Sequence, residues 1–120
     1  MRTAARRDKN EPEIVEALIA DGCLVFYNNA PGFPDLTILF PRHNGYWASV
    51  LIEVKEPGIG RLTPPQLKWW MAYYDTIWPE RDFLITKTKW WDTHENLVGP
   101  AYIVVTPEQA LSTIEFEKEL

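Results

Sequence analysis

Glu53 and Lys55 stand one residue apart in the stretch from Trp47 to Lys55, whose apolar centre Val50-Leu51-Ile52 predicts a strand. Side chains alternate along a strand, so Glu53 and Lys55 share one face while Ile52 and Val54 take the other. Asp35 opens the preceding predicted strand, Asp35 to Phe40, and in an antiparallel hairpin with 47–55 it falls near the end where Glu53 and Lys55 lie. Glu11 lies on the apolar face of a predicted helix, one turn before Ile14 and Val15, at the rim of whatever that helix packs on. Three carboxylates and one ammonium at one sheet edge sum to −2, a charge that a hard divalent cation binding oxygen ligands would relieve.

A plainer account competes with this. Lys55 can pair with Glu53 or Asp35 as an ordinary salt bridge at a strand end, with Glu11 merely solvated. Gln66 sits at the third position of a helix opened by Thr63-Pro64-Pro65, where it can reach back to the Thr63 backbone as half of a capping box. Capping and a functional role are equally open for it. His43 and His94 fall in expected loops and read as surface residues. Cys23, beside Leu24, reads as core, with no histidine and acid placed to make it a nucleophile.

The elements that must position these residues follow from pattern and punctuation. A helix is expected over 11–21, with Pro12 in its first turn and Gly22 able to stop it. Leu24 to Tyr27 is a short strand, Asn28 to Pro34 a loop, then come the strands 35–40 and 47–55 around a turn containing Asn44-Gly45. The helix from Thr63 runs to about Trp78 with Leu67, Trp70, Met71 and Tyr74 at helical spacing. A strand at 82–87, a polar loop at 88–100, a strand at 101–105 and a last helix after Thr106-Pro107-Glu108-Gln109, with Ala110, Leu111 and Ile114 inward, complete the chain. The order αβββαββα implies one α/β (α+β) domain, a mixed sheet flanked by helices. Strand parity adds a condition. A two-residue Asn44-Gly45 turn would pair 43 with 46 and set Asp35 opposite Val54, on the wrong face for Glu53 and Lys55. A shared site requires an odd-length loop or a bulge.

With 120 residues, 46% hydrophobic and 24% charged, the chain fits one globular domain and leaves no room for a second. The single cysteine excludes a disulfide scaffold and a cysteine-rich zinc site, and suits a reducing, cytoplasmic setting. There is no apolar run of membrane-spanning length and no apolar stretch of a secretory signal behind the arginines at the start. The net charge of −5 counts against broad electrostatic capture of nucleic acid. Residues 1–9 nevertheless form a basic arm and 115–120 an acidic tail. Six tryptophans, four of them in two adjacent pairs, exceed what one core can hold, which motivates an interaction surface as a rival reading.

The ordered set Gly32-Phe33-Pro34-Asp35-Leu36, Ile52-Glu53-Val54-Lys55 and Gly60-Arg61-Leu62-Thr63-Pro64-Pro65-Gln66, behind a helix bearing Glu11, resembles the PD-(D/E)XK nuclease superfamily. Within it the chain is most similar to the VRR-NUC group, related to Holliday-junction resolvases, over about residues 10–75. The resemblance implies a restriction-endonuclease-like fold and a metal-dependent DNA endonuclease using Mg²⁺, with Mn²⁺ able to substitute. Asp35 matches the metal-binding acid of the Pro-Asp motif, and Glu53 and Lys55 match the Glu-x-Lys motif. Glu11 resembles the helix glutamate that completes the site, Gln66 the glutamine beside it, and the Val54 carbonyl a further metal ligand. Cleavage of a phosphodiester requires neutralised charge, an activated water and a stabilised leaving oxygen, with Lys55 orienting the water rather than acting as base, since nearby acids push its pKa up.

The same resemblance points to branched DNA as substrate and a homodimer as active form, with Trp69, Trp78 and Trp91 available for its interface. DNA contact would rest on Arg2, Arg6, Arg7, Arg61 and Lys68. Flap or single-strand cleavage by a monomer fits the same residues. The alternative is a DNA- or protein-binding module on the same fold that does not cut.

Overall fold

The length of the loop between the second and third strands sets the geometry of everything near Asp35. In the computed structural model, which describes residues 7–58, 61–77 and 100–120 (backbone only over 74–77), strand β1 (Leu24–Tyr27) pairs antiparallel with β2 (Leu36–Pro41), and β2 with β3 (Trp47–Val54). The β2–β3 register runs from Pro41 opposite Trp47 to Leu36 opposite Ile52. Arg42 and Tyr46 close the hairpin through Arg42 N–H to Tyr46 O at 2.8 Å, leaving three residues, His43, Asn44 and Gly45, in the loop. Gly45 takes a φ of +92° there, the left-handed residue that a three-residue hairpin loop needs. The odd loop meets the parity condition: carried one step past Leu36, the register sets Asp35 opposite Glu53, on one face.

Strand β4 (Ala101–Val104) lies parallel to β3 on its other side, giving, among the described residues, a mixed four-stranded sheet in the order β1-β2-β3-β4. Helices α1 (Glu11–Ala20) and α3 (Pro107–Lys118) cover one face. There Ile14, Val15 and Leu18 meet Leu36, Ile38, Phe40, Val50, Ile52, Val54, Tyr102, Val104, Ala110 and Ile114 in the main core. Helix α2 (Pro64–Ile77) lies on the opposite face, where Leu67, Trp69, Trp70 and Tyr73 pack on Leu51, Ala101, Ile103 and Val105. This mixed α/β architecture is the one expected. The strand anticipated at 82–87, with Trp78, Trp90, Trp91 and His94, lies outside the described residues, as do Arg2, Arg6 and the side chain of Tyr74.

Two local details depart from expectation. The acidic stretch 115–120 is no free tail, because α3 continues through Lys118. Glu117 is 3% exposed, accepting a hydrogen bond from the Tyr102 hydroxyl and an ion pair from Arg42 at 3.4 Å. Its position in line with Thr113 and Ile114 on the inward face of α3 explains the burial. The basic arm is also less free than its charge suggested, since Arg7 and Asp8 are half-buried. Cys23 is core, as expected, and burial pushes its thiol up to about 11.

Gly45→Ala forces a Cβ into the left-handed region with nothing else in its way, so it is expected to lower the unfolding free energy by about 1 kcal/mol. Urea denaturation measures this. An unchanged midpoint and slope would mean that the loop can close without a left-handed residue at position 45.

Candidate active site

Four elements deliver side chains to one end of the sheet. The end of β3 carries Glu53 and Lys55, 0% and 6% exposed. The residue just before β2 carries Asp35, and a backbone hydrogen bond from Asn28 N–H to Asp35 O at 2.8 Å continues the β1–β2 pairing to that point. The first turn of α1 brings Glu11, 3% exposed. The first turn of α2 brings Gln66.

Asn10 shows how α1 is set in place. It occupies the N-cap position yet makes no side-chain cap. Its amide instead donates to Lys55 O at 2.9 Å and Val105 O at 2.7 Å, tying the helix start to the ends of the parallel strands β3 and β4. Nothing in the sequence around Asn10 marks this use, because both of its partners lie far along the chain.

Gln66 makes the capping contacts and also touches Lys55 and Glu53. Its Oε1 accepts from Thr63 N–H at 2.9 Å while Thr63 Oγ1 lies 3.4 Å from Gln66 N, which is a capping box. The same Oε1 accepts from Lys55 Nζ at 2.7 Å, and Nε2 donates to Glu53 Oε2 at 3.1 Å. Lys55 Nζ also donates to Arg61 O at 3.0 Å and lies 3.7 Å from Glu53 Oε2. The ammonium is thus fixed from three sides. On the other side of Gln66 the 28–34 loop closes against α2 at Gly32, where a Cβ would come within 2.7 Å of the Pro65 carbonyl oxygen. A residue with φ of +79° and no room for a side chain must be glycine.

Asp35 is half-buried. Its Oδ2 accepts from Val54 N–H at 2.8 Å, and in an extended strand a residue's N–H and C=O point to the same side, so the Val54 carbonyl faces the Asp35 side of β3. Glu53 Oε1, buried, has no hydrogen-bond partner among the described residues. Burial and the neighbouring Asp35 push the Glu53 carboxyl up to about 9, against the opposing pull of Lys55 and the Trp70 indole. Burial first, then Asp35 and Asp8, also raise Glu11, with Arg7 pulling the other way. Asp8 is raised by burial, Asp35 and Glu56 while Lys55 lowers it. Asp8 was not singled out in the sequence, since it lies in a basic run with no periodicity to place it.

The cluster therefore holds more acid than its cations neutralise. A buried carboxylate oxygen with no partner, beside a second carboxylate, is the donor set that a hard divalent cation takes. The residues present fit such an ion, with Glu11, Asp35, Glu53 and the Val54 carbonyl as the oxygen donors. Of the residues expected to meet DNA, Arg61 and Lys68 are exposed near the start of α2, and Arg7 is turned into the cluster, its Nη1 3.4 Å from Glu11 Oε2 and 3.9 Å from Asp35 Oδ1. A separate group, His43 with Glu115 and Glu119, lies wholly on the surface, consistent with His43 as a surface residue.

Without metal, the raised Glu53 carboxyl makes stability fall with pH. A group whose folded-state pKa exceeds its unfolded value adds stability that is complete below about pH 4.5 and is lost as pH rises toward about 9. Glu53→Gln is expected to flatten this slope and raise the midpoint of thermal unfolding in EDTA at pH 8. If the variant melts no higher than the parent there, the buried carboxyl is not under the electrostatic load described.

Against known protein families, residues 5–75 match the VRR-NUC domain. No curated protein and no solved structure matches the chain.

Proposed function

The chain belongs to the VRR-NUC family of nucleases, and from that membership we propose that it is a metal-dependent DNA endonuclease whose centre is Glu11, Asp35, Glu53 and Lys55, with Gln66 holding two of them in place. The observation that supports this most is Glu53: a buried carboxylate beside Asp35 with one oxygen unpartnered among the described residues, in a fold that buries Lys55 next to it. Leaving an isolated charge in a protein interior costs several kcal/mol, and the contacts present offset that cost only in part. Mg²⁺, or Mn²⁺ in its place, would be held by Glu11, Asp35, Glu53 and the Val54 carbonyl, and when bound supplies charge neutralisation for the phosphate and activation of water.

The protein's own groups do the rest. Lys55 keeps its ammonium beside Glu53 because Gln66 Oε1 and Arg61 O leave it little freedom, so it orients the attacking water and stabilises charge developing on the phosphate. Arg61 and Lys68, exposed on the α2 side, would contact the DNA backbone; Arg2 and Arg6, also proposed for DNA contact, lie outside the described residues. Binding through such phosphate contacts weakens as salt rises, and more steeply the more contacts are made.

Branched DNA is the proposed substrate and a homodimer the proposed active form. One centre hydrolyses one phosphodiester at a time, and resolving a four-way junction takes two symmetric incisions, most simply by two subunits on a two-fold axis.

Asp35→Ala, Glu53→Ala and Lys55→Ala are each expected to lower metal-dependent cleavage by ~10²-fold or more, with Glu11→Ala severe but less absolute and Gln66→Ala costing about tenfold. Supercoiled, linear single-stranded and four-way-junction DNA with Mg²⁺, Mn²⁺ or EDTA are the assay; near-parental activity in any of the first three variants removes that residue from the centre. Sedimentation under the same conditions tests the assembly. A persistent 14.0 kDa species that still cuts junctions would refute the dimer, and equal cutting of linear duplex and junction would refute selectivity for branches.

A further inference from the structure

Arg7 has more partners than a surface arginine needs. Nη2 donates to Asn28 O at 3.1 Å and Asn29 Oδ1 at 2.8 Å, while Nη1 donates to Glu11 Oε2 and Asp35 O, both at 3.4 Å. The guanidinium carbon lies 4.9 Å from the centre of the Tyr27 ring. The terminal nitrogens are thus occupied by protein acceptors. The shorter bonds all run to neutral oxygens at the end of β1 and the loop that follows, and the longer ones to Glu11 and the Asp35 backbone. Arg7 is therefore seated by the loop and the Tyr27 ring, with one charged edge leaning on the carboxylates.

That edge approaches the oxygens a metal would need. Asp35 Oδ2 is taken by Val54 N–H, which leaves Oδ1, and Oδ1 is the oxygen 3.9 Å from Nη1. Glu11 is almost fully buried, and Arg7 is its one ion-pair partner among the described residues. We propose that Arg7 is the resident cation of the metal-free centre, a positioning residue that holds Glu11 in place until a divalent ion takes it over, and whose fixed positive charge keeps metal affinity down. The proposal rests on the metal-centre reading above. It assigns Arg7 to the centre's charge balance instead of to the DNA backbone, because a guanidinium whose terminal donors are already spent has little to offer a phosphate.

The physical basis is sign and distance. A unit and a double positive charge a few ångströms apart repel by enough, even with water-like screening, to weaken binding about tenfold. Removing the charge from position 7 should tighten binding by that factor and at the same time leave the metal-free carboxylates uncompensated. A purely structural clamp predicts the opposite sign, since losing it would loosen Glu11 and weaken the metal.

Mn²⁺ titrations of the parent, Arg7→Gln, Arg7→Lys and Glu53→Gln, followed by calorimetry, with thermal unfolding in EDTA alongside, separate these. Arg7→Gln is expected to melt lower in EDTA and to bind Mn²⁺ about tenfold more tightly, while Arg7→Lys, which keeps the charge and loses the fork, stays near the parent's affinity. An Arg7→Gln protein that folds only when Mn²⁺ is added is the extreme form of the expected result; one that stays unfolded in saturating Mn²⁺ overturns the proposal. Binding that depends on Glu53 but is unchanged or weaker in Arg7→Gln, or equally tightened in Arg7→Lys, overturns the role of Arg7 alone. Absent binding in the parent, or binding indifferent to Glu53→Gln, overturns the centre and with it the inference.

Discussion

Three residues between Arg42 and Tyr46, where two would also close a hairpin, decide which side of the sheet Asp35 occupies. Side chains on paired strands alternate with a period of two, so a change of one residue in the loop moves every position of β2 to the other face relative to β3. With the observed loop, Leu36 and Ile38 face the main core with Ile52 and Val50, and Asp35 falls on the face of Glu53 and Lys55. The other parity would bury Asp35 among aliphatic side chains and expose Leu36. The hydrophobic core and the polar cluster are therefore fixed by the same choice, and neither can be shifted without the other.

The cluster sits where burial and charge work against each other. Glu53 and Lys55 are nearly inaccessible and 3.7 Å apart, yet Glu53 has Asp35 as a second neighbour, and the repulsion outweighs what Lys55 returns. Neutral groups carry much of the load. Gln66, Asn10, the Arg61 carbonyl and the Val54 amide each satisfy a charged or strand-end group without adding charge. This is how a protein of net charge −5 can hold several acids together: hydrogen bonds orient them, and the remaining charge is left for a cation.

Much of this arrangement was legible in the residues themselves. Strand alternation put Glu53 and Lys55 on one face, the helical repeat put Glu11 in line with Ile14 and Val15, and the capping pattern located Gln66. What stayed hidden is long-range. Asn10 carries no signal of its use because its partners, Lys55 and Val105, are 45 and 95 residues away. Asp8 and Arg7 lie in a short charged run with no periodicity, where composition suggests a solvated arm. Glu117 looked like part of an acidic tail because its partners, Arg42 at the β2–β3 hairpin and Tyr102 on β4, lie elsewhere in the chain. Local pattern reports on neighbours along a helix or strand, and it is silent on which distant carbonyl or hydroxyl will arrive.

Gln66 joins two events that are separate in most proteins. Its side chain closes the first turn of α2 through Thr63 and, with the same oxygen, holds Lys55. Nucleation is the costly step in forming a helix, and here the nucleus includes the ammonium of the candidate centre. When that first turn opens, Lys55 and Glu53 lose their neutral partner together; when it closes, both are oriented in one motion. The Thr63 amide proton, bonded to the oxygen that receives Lys55, is therefore a spectroscopic window on the centre from a backbone position outside it, and its exchange with solvent follows the fraction of molecules in which the lysine is released.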